Sequence, residues 1–178
     1  MIPRRSRCPS TCTLVHACLL VFSLITSATV WGQDVYADLS RYRDRFQKLS
    51  DEITANQRRI LSTPQTMAAQ ERALTQLEYV GHLLGSAGRE IAVLDHTLQL
   101  ATLVTDGRAI PLARRYVELQ RDYMVKQMML SVAHIEKTIH LAGDQETSRL
   151  LLEARDLLQS ATDFVGRLSV VEPKPKGR

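Results

Sequence analysis

Cysteine is confined to the first 32 residues of this 178-residue chain, as Cys8, Cys12 and Cys18. The only tryptophan, Trp31, lies in the same stretch, and Asn56 is the only asparagine. Glycine and proline are scarce, at 8 and 6 residues, and aromatic side chains make up 5 %. Each scarcity excludes something. Beyond residue 32 the chain forms no disulfide, ligates no metal through sulfur of cysteine, and holds no thiol nucleophile. With so few helix breakers beside abundant Leu, Ala, Gln, Glu and Arg, the composition favours helix throughout.

Acidic residues are also missing at the N-terminus. Arg4, Arg5 and Arg7 precede an apolar run from Leu14 to Val30, and Val30 and Gly32 stand at the −3 and −1 positions of a cleavage site. A basic start, a short apolar run and small residues at the cut are the parts of a secretory signal peptide, here residues 1–32. The alternative is an uncleaved anchor, because the run approaches the length that spans a bilayer. Small and hydroxyl residues dilute its second half, which favours cleavage and argues against stable membrane insertion afterwards. A lipid-modified Cys18 fits poorly, since His16 precedes it and the apolar run continues past it. The expected location is periplasmic or secreted. Three of the 23 basic residues leave with the signal and none of the 19 acidic ones, so the remainder carries about one net positive charge. Net charge therefore supplies no argument for nucleic acid or an anionic membrane as partner.

Residues 33–172 are enough for one domain with a real core, and Pro173 opens a solvated, flexible tail over 173–178. Breakers divide the domain at Ser62-Thr63-Pro64, at Asp106-Gly107 with Pro111 beyond, and at Gly143-Asp144. Four helices are predicted, over 35–61, 65–105, 110–141 and 146–171. The first carries Val35, Leu39, Tyr42, Phe46, Leu49, Ile53 and Ile60 at alternating four-three spacing, with Asn56 as the one polar member. The fourth repeats the pattern with Leu150, Ala154, Leu157, Ala161, Phe164, Leu168 and Val171. The second keeps it from Ala73 to Ala101, and Gly81, Gly85 and Gly88 do not shift its phase. One continuous helix is expected there. Short connections imply antiparallel neighbours, so the expected fold is all-α: an up-down-up-down four-helix bundle or long antiparallel helical hairpins of coiled-coil character. At 1.5 Å per residue the second and third helices span ~60 and ~48 Å against ~40 Å for the other two. They should overhang the first and fourth at the end where they join.

Few residues suggest chemistry. Asn56 reads either as a buried polar device that fixes register or as a partly exposed residue near a helix end. Glu78/His82 and Glu136/His140, with His96 beyond, have a helical i,i+4 spacing that suits exposed charge pairs on polar faces better than metal ligation. Haem is disfavoured as well, with no Cys-x-x-Cys-His, no methionine on the first helix and no histidine on the fourth, where axial ligands from the outer helices would be needed. The third helix sets Arg115, Glu118, Asp122, Lys126, Glu136 and His140 on one side. Opposite lie Ala113, Val117, Met124, Met128, Ile135 and Ile139, together with Gln120, Gln127, Ser131, His134 and Thr138. Gln120, Met124, Gln127 and His134 are the candidate lining of a small-ligand or metal-binding pocket. No nucleophile motif, phosphate loop or catalytic triad pattern is visible, so neither catalysis nor a cofactor is expected.

The second helix offers another signal. Its side away from the core carries Glu71, Glu78, His82 and Arg89, then changes to Val93, Leu100, Leu103 and Val104. Ile110 and Leu112 follow just across the turn. Apolar residues where the hairpin outruns its neighbours suggest a surface for protein–protein interaction. The expected function is an exported interaction module, a scaffold, adaptor or holdase-like protein. It would bind a protein partner or self-associate, with a homo-oligomer as one outcome. The competing expectation is the ligand-binding bundle of the polar strip. Mass spectrometry of the exported protein should find a chain beginning at or near Gln33; an intact N-terminus on membrane-bound protein replaces this reading with a tethered one.

Overall fold

In a computed structural model of the protein, residues 11–168 are described apart from Gln65, with side chains from Asp34 onward except those of Gln65, Met67 and Ala69. The elements are α1 (Thr11–Ser62), α2 (Met67–Leu103), α3 (Ile110–Thr138) and α4 (Gln145–Gly166), with a 3₁₀ turn at Ile139–Leu141 before α4. The chain forms two compact units, 1–38 and 39–178. The described part of the first is the N-terminal stretch of α1. The second is an all-α bundle, and the tail 173–178 lies outside the described residues.

Two helix limits differ from the sequence reading by more than three residues. α1 starts at Thr11 instead of 35, because nothing from Leu14 to Ser62 breaks a helix except Gly32, whose cost is only about 1 kcal/mol. No described helix is long and apolar enough to cross a membrane. At the other end α4 stops at Gly166 instead of 171. Arg167 and Leu168 donate their backbone N–H groups to Phe164 and Val165, tightening the last turn and closing the helix. The middle of the chain follows its periodicity, with α2 running unbroken through Gly81, Gly85 and Gly88.

Pair contacts fix the topology. An ideal Cβ on Gly88 would sit 3.8 Å from Phe46 Cβ, and one on Gly81 would sit 3.8 Å from Ile53 Cγ2. Seven residues forward on α1 correspond to seven back on α2, so the two are antiparallel, and the glycines let their backbones approach closely. Between α2 and α3, Gln76 donates to the Thr138 carbonyl at 3.2 Å, and the Tyr79 and His134 rings are 4.3 Å apart. Arg121 on α3 donates to the Leu168 carbonyl, and Val125 lies against Gly166. Tyr42 on α1 bonds Ser160 on α4 and packs its ring on Phe164 at 5.3 Å. Every sequential neighbour is antiparallel and α4 returns to α1, which is up-down-up-down topology.

The four-three stripes face one core. Leu39, Phe46, Leu49, Ile53 and Ile60 of α1 are buried with Leu77, Leu84, Ile91 and Leu94 of α2. Val117, Met124, Met128 and Ile135 of α3 join them, and α4 buries a wider face that includes Leu151 and Leu158 beside its stripe. Each such side chain contributes roughly 1.5–3 kcal/mol on leaving water. Since the last turn of α4 is level with Val125, the first turns of α3 and the last of α2 run on past it, as their lengths require.

One part of the interior is polar. Asn56 is 5 % exposed and Thr147 fully enclosed. Asn56 Nδ2 donates to Thr147 Oγ1 at 3.4 Å, and that hydroxyl donates to Asp144 Oδ2 at 2.6 Å. Arg59 completes the ring, donating Nε to Asn56 Oδ1 at 2.8 Å and Nη2 to Asp144 Oδ1 at 3.3 Å. Asp144 is also the N-cap of α4, accepting from the backbone N–H groups of Glu146 and Thr147. Burial alone would raise its pKa. The Thr147 hydroxyl and amide, the Arg59 charge and the Glu146 amide outweigh that and hold the carboxyl below its ordinary value. A depressed carboxylate stabilises the fold above its unfolded pKa, and the contribution is lost as pH falls through the folded value. Asp144→Ala should therefore cost about 0.5–2 kcal/mol at neutral pH. In urea titrations the difference from the parent should shrink below about pH 4; equal stability of the two proteins at neutral pH removes the cap from this account.

Candidate functional site

Ten of the thirteen large apolar side chains left exposed among the described residues belong to α2 and α3. The apolar surface is thus concentrated on one hairpin. Its connection is short and internally bonded. Asp106 accepts the Arg108 amide on its side chain at 3.0 Å and the Ala109 and Ile110 amides on its carbonyl, and Pro111 sits in the first turn of α3. Leu103 and Leu112 stand on either side of this turn, 73 % and 71 % exposed. Of the six residues picked out as a partner-binding tip, Val93, Leu100, Leu103 and Leu112 are exposed, whereas Val104 and Ile110 are half-buried.

The exposed surface extends beyond those six. Tyr116, Leu119, Tyr123, Met129 and Leu130 on α3 are exposed as well. Leu112, Tyr116, Leu119 and Tyr123 follow one another at spacings of four, three and four, a second heptad stripe on a helix that already buries Val117, Met124, Met128 and Ile135. At 100° per residue the two stripes lie roughly 120° apart. The signal was available in the spacing. A search for one apolar side and one charged side passes over it, because a helix with two stripes has no single apolar direction.

The polar strip of α3 divides. Met124 is fully enclosed in the core, Gln120 is half-buried, and Gln127 and His134 are exposed. The ring of His134 lies against Tyr79 on the flank where α3 meets α2. Ser131 and Thr138 donate their hydroxyls to carbonyls of their own helix. A solvent-facing imidazole and an enclosed thioether do not line one cavity, so the four residues are not brought together.

Other titratable groups are dispersed. Glu78 and His82 form an exposed i,i+4 pair at 4.0 Å, and Glu136 and His140 are exposed on α3 and the 3₁₀ turn. Among the described residues no three of His, Cys, Asp and Glu gather as metal ligands. Arg149 joins Glu52, Glu146 and Glu153 in a surface network between α1 and α4. Glu90, half-buried on α2, has one carboxylate oxygen out of solvent with no hydrogen-bond partner. Burial raises its pKa, and the neighbouring Arg89 only partly opposes the shift. A shallow open groove lies where Gly85 and Gly88 leave space beside Phe46, with Arg43 and Arg89 at its rim.

No protein-family model, curated protein or solved structure matches this chain. The exposure of His134 yields a direct test. His134→Leu should change stability by no more than about 0.5 kcal/mol, as surface substitutions do. A loss above ~1 kcal/mol would mean that the imidazole makes a buried polar bond.

Proposed function

We propose that the protein is an exported, non-catalytic helical module that binds protein through the α2–α3 hairpin. The observation that supports this reading is the concentration of exposed Leu, Val and Tyr on that hairpin. Leaving them in water forgoes roughly 1.5–3 kcal/mol for each side chain that a partner could bury, and contiguous apolar surface of this kind marks interaction sites. The turn built around Asp106 holds Leu103 and Leu112 at the hairpin's end, so little ordering is lost when a partner engages them. Export follows from the N-terminal signal, which places the partner outside the cytoplasm. The near-neutral charge that remains after cleavage suits a protein partner better than a polyanion.

A photo-crosslinking side chain introduced at Leu103 in expressing cells should give adducts heavier than the chain, and the same group at Leu152, on α4, should not. Adding Leu100→Glu and Leu112→Glu to the Leu103-labelled protein should abolish those adducts, and the same two substitutions should leave the helical circular dichroism of the purified protein intact. Global unfolding of that variant would assign the two leucines to the core, and equal labelling at Leu103 and Leu152 would remove the hairpin as the binding surface.

A further inference from the structure

The proposed reading leaves the identity of the partner open, and the exposed stripe of α3 carries that question further. Leu112, Tyr116, Leu119 and Tyr123 occupy alternate d and a positions of a heptad seam, and among the described residues nothing covers them: all four are more than half exposed. Arg115 and Asp122 are the g positions along one edge of the seam. Ala113, Gln120 and Gln127 are the e positions along the other, and none is charged.

These positions discriminate between ways of covering the stripe. If a second copy of α3 packed parallel, g would face e, and Arg115 and Asp122 would each meet an uncharged glutamine. If it packed antiparallel, g would face g. Centred between Val117 and Glu118, an antiparallel pair sets Tyr116 against the partner's Leu119 and Leu112 against the partner's Tyr123, with each contact repeated by symmetry. The same register places Arg115 opposite the partner's Asp122, twice. Every apolar position is matched by an apolar one, every aromatic ring meets a leucine, and both charges are complemented.

The neighbouring helix adds apolar surface on both sides of that centre. The α2–α3 register joins Leu103 to Ile110 at the turn and Tyr79 to His134 far from it, a constant offset along the hairpin. Continued along α2, that offset puts Val93 level with Gln120 and Leu100 level with Ala113. The two exposed α2 side chains thus lie on either side of the point about which the α3 stripe is self-complementary, with their midpoint one residue from it. A patch that matches itself about one point is what a two-fold interface requires. Asp122 remains available for it. Both bonds that Arg121 makes to it go to Oδ1, and the carboxylate side chain is 56 % exposed.

We infer that the partner of this face is a second copy of the chain, with the two α3 helices antiparallel about a two-fold axis near Val117. The inference rests on the reading of the hairpin as a binding surface and commits it to one occupant.

Sedimentation equilibrium on the purified exported protein tests it. The protein should be dimeric at micromolar concentration, and Leu119→Glu should be monomeric with unchanged helical circular dichroism. Arg115→Asp and Asp122→Arg should each weaken the dimer, on the order of tenfold. The double variant carrying both should recover to near the parent affinity, a rescue that a purely structural role for either residue does not produce. A parent protein that stays monomeric, a Leu119→Glu variant that still dimerises, or a double variant as weak as the singles overturns the inference. A monomeric parent that still gives adducts of other proteins at Leu103 removes the second copy and keeps the hairpin as a docking site. A monomer with no adducts removes both.

Discussion

A bundle whose interior is only aliphatic is held together but not held in register, because sliding one helix by a heptad exchanges leucine for leucine. Asn56 supplies the missing constraint. Its buried amide bonds Thr147 and accepts from Arg59, and Arg59 and Thr147 both converge on Asp144. Displacing α1 by one heptad along α4 would leave that amide enclosed without partners, at a cost of about 1–3 kcal/mol. Because Asp144 also caps α4, the ring sets the level of α1 at the same point where α4 begins. The cap, the first turn of α4 and the depth of Phe46 and Ile53 against α2 then follow from one alignment.

The remaining contacts are consistent with that alignment. Phe46 and Ile53 approach α2 where Gly88 and Gly81 have no side chains, two turns apart on each helix. Tyr42 reaches Ser160 about one turn farther along α4 than its midpoint, and Arg149 gathers carboxylates from α1 and α4 near the ring. The Arg149 cluster is solvent-exposed and adds little by itself. The direction comes from the buried amide, and the surface charges agree with it.

What the sequence reveals and what it conceals separate on physical grounds. The stripes of α1, α2 and α4 are single and unbroken, so their periodicity named the helices and most of the core, including the passage through three glycines in α2. Asn56 was visible as the odd member of its stripe. Its burial was not, since that depends on what α4 places opposite. α3 misleads for another reason: it carries a buried stripe and an exposed one, and its uncharged polar residues fall between them on the flank toward α2. Gln127 and His134 resemble interior residues when judged only by their distance from the charges. The start of α1 was missed because a proposed processing site and a helix boundary are different things; only Gly32 interrupts the helix-forming residues around it.

Glu90 and Asp144 give the bundle an acid response with two limbs. Glu90 is penalised as an anion, and its raised pKa means that acidification first relieves a cost. Asp144 is favoured as an anion, and its lowered pKa means that stronger acidification later withdraws a benefit. The two carboxyls sit on different helices, and their contributions have opposite slopes. Stability from this pair is therefore greatest at mildly acidic pH, after Glu90 has taken up its proton and before Asp144 has. A moderate fall in pH therefore leaves the combined contribution of these two carboxyls undiminished.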